Sequence, residues 1–353
     1  MRIGILTFHN ADNYGAVLQC YALQKALASL GHNVSVIDYR NSYVENCYKL
    51  TPISHFIRCF IHSFKIEPWM KSQINLRIKK RKFKKFRANY LNIKPRDDKQ
   101  DIPQNFDAYI IGSDQLWNKC CTKEFDQVYL GNFHKSKNSK IYGYAISANQ
   151  DTLNSLGINN LKTIASRFEK LSFREQKFQY QFNNLTNIEA RIDIDPTLLH
   201  NKEFWDNLTN NKFSRDKYVL VYELLKNPLD KDAITRKATE FANKHGLSII
   251  DISKSNYSVN EFVSLFKYAT CVFTTSFHAT VFALIFNRPL YSFKLNSVRD
   301  ERYVNLLTEV NAQNAIAEFT DEPDEFPDIN YQIINAKIEE MRQKSIDYLK
   351  SIH

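Results

Sequence analysis

One turn, Thr274-Thr275-Ser276-Phe277-His278, carries the residue types that an anion site requires. It follows an apolar run, Ala269 to Phe273, that reads as a strand, and a helical run begins at Ala279. A helix start presents unpaired N–H groups and the positive end of the helix dipole. Ser and Thr cap such starts, and a histidine beside them supplies a group that titrates near neutral pH.

Four further polar clusters stand where predicted strands end. They are Thr7 to Asn13 with Tyr14 and Gly15, Ser113-Asp114, Arg174-Glu175, and Asp195 before Pro196. Arg174 has the fork geometry to clamp a carboxylate or phosphate, and Asp114 or Glu175 could act as a base or orient a hydroxyl. Each cluster also has a structural reading. Asn13 and Asp114 can cap helices, Arg174 can pair with Glu175, His278 can be a core histidine, and Asp195-Pro196 reads best as a strand end and turn. The stretch Phe8 to Gly15 lacks a GxGxxG fingerprint, which disfavours dinucleotide binding.

The elements that hold these clusters alternate. Ile3–Leu6, Val34–Ile37, Ala108–Ile111, Ile141–Ala145, Leu171–Phe173 and 192–194 read as strands, with helices over Tyr14–Leu30 and Leu161–Phe168. After a polar stretch, Lys202 to Asp216, a second series follows. Its strands are Tyr218–Tyr222, Leu247–Ile252, Ala269–Phe273 and Pro289–Phe293, with helices between them. The pattern predicts an α/β protein of two Rossmann-like, doubly wound domains facing a cleft, with ligands beyond the strand carboxyl ends. The expected divisions are 1–205 with a basic insertion at about 41–104, 206–330, and a C-terminal helix over 331–353 that can pack back on the first domain.

Bulk properties fit this division. The chain has 353 residues, 43% of them hydrophobic, enough for two cores. No apolar stretch spans a bilayer, and Met1 to Thr7 reads as a strand and not a signal peptide, so the expected location is cytoplasmic. The six cysteines show neither zinc nor CxxC spacing, so no disulfide and no metal is expected. The net charge of +10 is local: Pro68 to Arg96 holds 11 Lys or Arg and no acid, which leaves the rest of the chain at −1. Leu76, Phe83, Phe86 and Tyr90 fall on one face of a helix there. With no recognition module beside the charge, nucleic acid is not expected; Arg77 to Arg87 suit an anionic membrane surface.

Several segments resemble the polysaccharide pyruvyl transferase family. They are Ile3-Gly4-Ile5-Leu6-Thr7 with Asn13-Tyr14-Gly15-Ala16-Val17-Leu18-Gln19; Ile111-Gly112-Ser113-Asp114-Gln115-Leu116-Trp117; Phe173-Arg174-Glu175; Asp195-Pro196-Thr197-Leu198-Leu199; and Ser276-Phe277-His278-Ala279. The resemblance covers roughly Arg2 to Leu307. It implies a fold like the GT-B glycosyltransferases, and transfer of a pyruvyl group from phosphoenolpyruvate to a sugar of a surface-polysaccharide precursor, giving a cyclic ketal. Phosphoenolpyruvate is then a co-substrate, no cofactor is needed, and the acceptor can be linked to a polyprenyl diphosphate, with the enzyme peripheral at the inner face of the plasma membrane. Many members carry arginine where Ser276 stands, so another cation must serve; Arg288, Lys294, Arg299 and Arg302 lie downstream.

The expected catalytic residues are His278, Asp114 and Glu175. The expected substrate-binding residues are Asn13, Tyr14, Gly15, Ser113, Arg174, Thr275, Ser276 and Arg302. Two other functions suit the same pattern: a GT-B glycosyltransferase using a nucleotide sugar, and a non-catalytic glycan-binding protein.

Overall fold

A computed structural model describes residues 1–49, 66–95, 102–224, 230–297 and 300–353. Within them lie two sheets whose strands all run parallel, with helices in the crossovers, the α/β class the sequence predicts. The first sheet contains β1 (Arg2–Leu6), β2 (Asn33–Ile37), β3 (Ile93–Lys94), β4 (Ala108–Asp114), β5 (Lys140–Ile146), β6 (Lys170–Phe173) and β7 (Arg191–Ile192). The second contains β8 (Tyr218–Tyr222), β9 (Ser248–Asp251), β10 (Cys271–Thr274), β11 (Leu290–Lys294) and β12 (Ile316–Glu318). Central strands such as Tyr218–Tyr222 and Cys271–Thr274 are buried on both faces, which is why they read as unbroken or nearly unbroken apolar runs.

Strand order places the site. The first sheet runs β3-β2-β1-β4-β5-β6-β7 and the second β12-β11-β10-β8-β9. The order reverses between β1 and β4, paired Leu6 to Ile111, and between β8 and β10, paired Tyr222 to Thr274. Crevices open at such switch points, beyond the carboxyl ends of the strands. Asn13 to Gly15, Asp114 and Thr274 to His278 stand at those ends.

Six α-helices of the described residues escape the periodicity reading: Ser42–Cys47, Lys119–Thr122, Gln150–Leu156, Gln176–Thr186, Lys202–Asp206 and Glu301–Glu309. In Gln176–Thr186 only Phe178, Phe182 and Thr186 are buried, too few residues to mark a period in the sequence. The helix expected at Leu161–Phe168 lies at Ile158–Ala165, and the strand expected at 192–194 at Arg191–Ile192.

The two sheets meet through an apolar seam. Tyr14, at the start of helix Tyr14–Ser29, stacks on Phe262 with centroids 4.2 Å apart, and its hydroxyl donates to the Tyr257 carbonyl at 2.8 Å. The basic helix Ile66–Tyr90 braces the seam. Phe83 and Phe86 are buried as its stripe predicts, while Lys82 Nζ donates to the Asn256 carbonyl and to Glu261. The C-terminal helix Tyr331–Lys350 returns to the first sheet, where the Tyr348 hydroxyl donates to the Gly143 carbonyl at 2.8 Å.

Candidate functional site

The site is built around one buried carboxylate. Asp195 ends the chain segment after β7 and caps the 3-10 turn Pro196–Leu199, its Oδ1 accepting from the Thr197 N–H (3.0 Å) and hydroxyl (2.7 Å). Its Oδ2 accepts from Arg174 Nη1 at 2.6 Å and faces His278 Nε2 at 3.6 Å. Burial alone would raise the Asp195 pKa; the facing His278 and Arg174, with the Thr197 hydrogen bond, outweigh it and hold the carboxyl well below its ordinary range. Arg174 comes from the end of β6 in the first sheet and His278 from the start of helix Phe277–Ile285 after β10 in the second. Asp195 therefore ties together a guanidinium and an imidazole from opposite walls. The guanidinium also lies over the Phe277 ring, 4.5 Å from its centroid.

Arg174 Nη2 is buried and makes no hydrogen bond among the described residues, while His278 Nε2 is directed at Asp195 across 3.6 Å. A buried guanidinium nitrogen of this kind is suited to an acceptor from a ligand. Beside Arg174 lies a cavity of about 530 Å³, including the solvent at its mouth, lined by Arg174, Asp195, Phe277 and Arg302 among others. Arg302, half-buried on helix Glu301–Glu309, has its pKa lowered first by burial and then by the positive charge of Arg174. Two like charges held together in a recess favour an anion between them.

A larger, open cleft of about 1240 Å³, counting the solvent at its mouth, adjoins this cavity and shares Glu175, Arg302 and Asn305 with it. Glu175 is held in place: Oε1 accepts from the Ser147 hydroxyl at 2.6 Å and from Arg174 Nε at 3.3 Å, and Oε2 from the Ala148 N–H at 3.2 Å. Asp114, at the end of β4, is half-buried and sits at φ 87°, a region that residues other than glycine rarely adopt. Strain of this kind gathers at functional sites. One of its oxygens accepts from the Gln115 N–H at 2.8 Å.

The other expected residues have structural duties. Asn13 caps helix Tyr14–Ser29 by accepting from the Ala16 N–H. Ser113 is fully buried and donates to the Ala145 carbonyl at 2.7 Å, so its hydroxyl serves the sheet. Tyr14 belongs to the seam. Gly15 is where the walls touch, for a Cβ there would stand 2.0 Å from His278 Nδ1. Ser276 caps the His278 helix, its hydroxyl accepting from the Ala279 N–H at 3.5 Å, and Thr275 is buried in the same turn.

A family model described as polysaccharide pyruvyl transferase matches residues 13–297, most of the chain and every element just described around Asp195 except Arg302. The chain belongs to the polysaccharide pyruvyl transferase family. It is accordingly placed among transferases that act on polysaccharide. No curated protein matches it. Among solved structures it is similar to a UDP-GlcNAc 2-epimerase from Methanocaldococcus jannaschii in complex with UDP-GlcNAc and UDP, at 14% identity, covering 97% of this chain and 93% of that one with a TM-score of 0.47. It is also similar to a glycosyltransferase from Streptomyces sp. SF2575, at 10% identity, covering 99% and 95% with a TM-score of 0.39.

The structure separates the four cations downstream of Ser276 that the sequence offers in place of an arginine there. Arg288 donates to the Lys267 carbonyl, and Lys294 pairs with Glu318 at 2.5 Å. Arg299 lies outside the described residues. Arg302 lines the cavity beside Arg174. Asp195 is the residue whose importance the sequence reading missed: an aspartate before proline reads as a turn, and its second oxygen gains meaning only when Arg174 and His278 arrive. Of the basic helix, Arg87 pairs with the buried Asp12 at 2.9 Å, Lys82 joins the seam and Lys79 lies over the Tyr14 ring. The stretch Arg77 to Arg87 therefore does not present all its charge outward; Arg77, Arg81, Lys84 and Lys85 are the exposed ones. Among the described residues no group of three or more His, Cys, Asp or Glu is placed to hold a metal, and no helix is long and apolar enough to cross a membrane.

Proposed function

We propose that this family member transfers the pyruvyl group of phosphoenolpyruvate to two hydroxyls of one sugar in a polysaccharide precursor, giving a cyclic ketal and inorganic phosphate. What carries the reading is Arg174, with Nη2 unpaired among the described residues, set beside Arg302 in one cavity and sharing Asp195 with His278. A donor bearing both a carboxylate and a phosphate suits two guanidinium groups set together. Arg174 and Arg302 hold these anionic groups, and the capped turn before Ala279 adds backbone N–H groups.

His278 delivers a proton to the methylene carbon as the oxygen of the first sugar hydroxyl bonds to the enol carbon. The bond from that carbon to the phosphate oxygen then breaks, and the second hydroxyl closes the ketal. Of the two hydroxyl protons, one ends in the new methyl group and the other leaves with phosphate. Asp114 is the base towards the acceptor, because the Glu175 carboxylate is already held by three donors. Asp195 is a positioning residue: it holds Arg174 and orients the His278 ring across the cleft. The acceptor is a glycan, linked to a lipid diphosphate at an anionic membrane surface.

The test is phosphate release from phosphoenolpyruvate in the presence of a panel of galactosides, mannosides and glucosides. His278→Ala should abolish release at saturating phosphoenolpyruvate, and near-wild-type turnover in that variant would remove His278 from the mechanism. Phosphoenolpyruvate should raise the melting temperature and a nucleotide sugar should not; the reverse would favour a glycosyltransferase.

A further inference from the structure

A second concave space lies along the same edge of the first sheet. Towards β1 and β2, away from Arg174, a recess of about 1190 Å³, counting its open mouth, lies between the strand ends and the helix Ile66–Tyr90. That helix turns Lys80, Lys84 and Arg87 towards it, three or four residues apart and so on one face. Arg87 is answered by Asp12 at 2.9 Å, and Arg40 at the rim by Asp38 at 2.6 Å. The ammonium groups of Lys80 and Lys84, with that of Lys49 opposite, make no hydrogen bond or ion pair among the described residues. Three uncompensated ammonium groups thus surround one concave space, and the helix that carries two of them has no acid from Pro68 onward.

We infer that this recess is an anion subsite for the acceptor, taking a glycan that bears a phosphate or diphosphate, with the charged group on Lys80, Lys84 and Lys49 and the sugar extending to Asp114. The part that concerns the sugar rests on the pyruvyl-transfer reading; the anion subsite does not.

Tyr48 and the sheet connect the recess with the reaction centre. Tyr48 lines the recess, and its phenol is pushed up to about 12 by burial and then by the charge of the Asp114 carboxylate, with Asp12 adding to it. In the sheet, β2, β1 and β4 are successive neighbours, so the segments after β1 and β2 that line the recess and Asp114 at the end of β4 share one carboxyl edge. The shape also separates this subsite from a flat lipid contact: Lys80 and the exposed Lys84 line a hollow, whereas Arg77 and Arg81, also exposed, do not.

Inorganic pyrophosphate titrated calorimetrically into the full chain tests the subsite without any turnover. Lys80→Ala with Lys84→Ala should weaken binding about tenfold or more, since two charged contacts are lost. Arg77→Ala with Arg81→Ala removes the same charge from outside the recess and should change it less than twofold. Equal weakening in both pairs, or none in either, overturns the subsite. Phosphate release from phosphoenolpyruvate then compares one glycan in three forms: a neutral methyl glycoside, a soluble diphosphate, and a polyprenyl diphosphate in neutral vesicles. Both diphosphates should exceed the methyl glycoside in kcat/KM about tenfold, and that ratio should fall towards one in the Lys80, Lys84 variant. An advantage confined to the vesicle-borne form would show that lipid and not phosphate is recognised, and would overturn the proposal. Silence with every acceptor would count against pyruvyl transfer, while the pyrophosphate titration would still decide the subsite.

Discussion

Gly15→Ala isolates the contact between the two walls of the site. The glycine lies in the first turn of helix Tyr14–Ser29, where alanine is intrinsically the better helix former by up to about 1 kcal/mol. A local view therefore predicts stabilisation. The opposite wall reverses it. The new Cβ would meet His278 Nδ1 at 2.0 Å and both Cε1 and Cγ at 2.5 Å, so it meets the body of the ring and not a mobile tip. Reaching the 3.4 Å of ordinary contact requires the ring or the helix to move by 3.4 less 2.0, about 1.4 Å. Overpacking of this size costs about 1–3 kcal/mol. His278 would also leave its place opposite Asp195, and a misplacement of about 1 Å lowers turnover about 100-fold. Phosphate release should show that loss, and urea unfolding a net destabilisation of up to about 2 kcal/mol. The decisive measurement is a double-mutant cycle with His278→Ala. Without the ring the clash disappears, so Gly15→Ala should become neutral or slightly stabilising. If it costs the same stability in both backgrounds, the contact argued here does not govern the site.

Two other outcomes follow from the buried carboxylates. Asp195→Asn should destabilise by about 3 kcal/mol, the lower end for breaking a buried pair, because Glu175 stays 3.3 Å from Arg174 Nε; urea unfolding showing less than about 1 kcal/mol would contradict it. Asp193 is buried, its Oδ2 makes no hydrogen bond among the described residues, and burial pushes its carboxyl up to about 6 against the pull of Arg191. A raised folded-state value means that stability is full below the unfolded value and is lost as pH rises through about 6. Asp193→Asn does not titrate, so its stability relative to the native chain should improve by about 2.5 kcal/mol from pH 4 to pH 8; a gap independent of pH would refute this.

Much of the frame was legible because parallel strands advertise themselves. Tyr218–Tyr222 and Cys271–Thr274 are apolar runs with polar residues at their ends, and the topology carries those ends to the cleft. His278 and Arg174 could be found that way, one at a time. Their meeting on a single Asp195 oxygen could not, since it joins chain positions about a hundred residues apart through the packing of two sheets. Gly15 is similar: its neighbour in space is on the other domain, and nothing around it in the sequence demands the absence of a side chain. Tyr14 read as a ligand contact because it borders Gly15, yet its ring serves the seam. The basic helix showed its charge but not its division, because which lysine turns inward depends on Asp12, Glu261 and the Asn256 carbonyl.

The return of helix Tyr331–Lys350 to the first sheet has a consequence for synthesis. Tyr348 bonds to Gly143 across 205 residues, and Tyr142 to the His353 carbonyl across 211. Chains fold from the N-terminus as they emerge, and contacts this distant form late. While the second sheet is being translated, the surface of β5 and β6 that Tyr348 and Leu349 bury has no cover. The nascent first half therefore waits, with an apolar face open to chaperones and to its own copies, until the last helix leaves the ribosome.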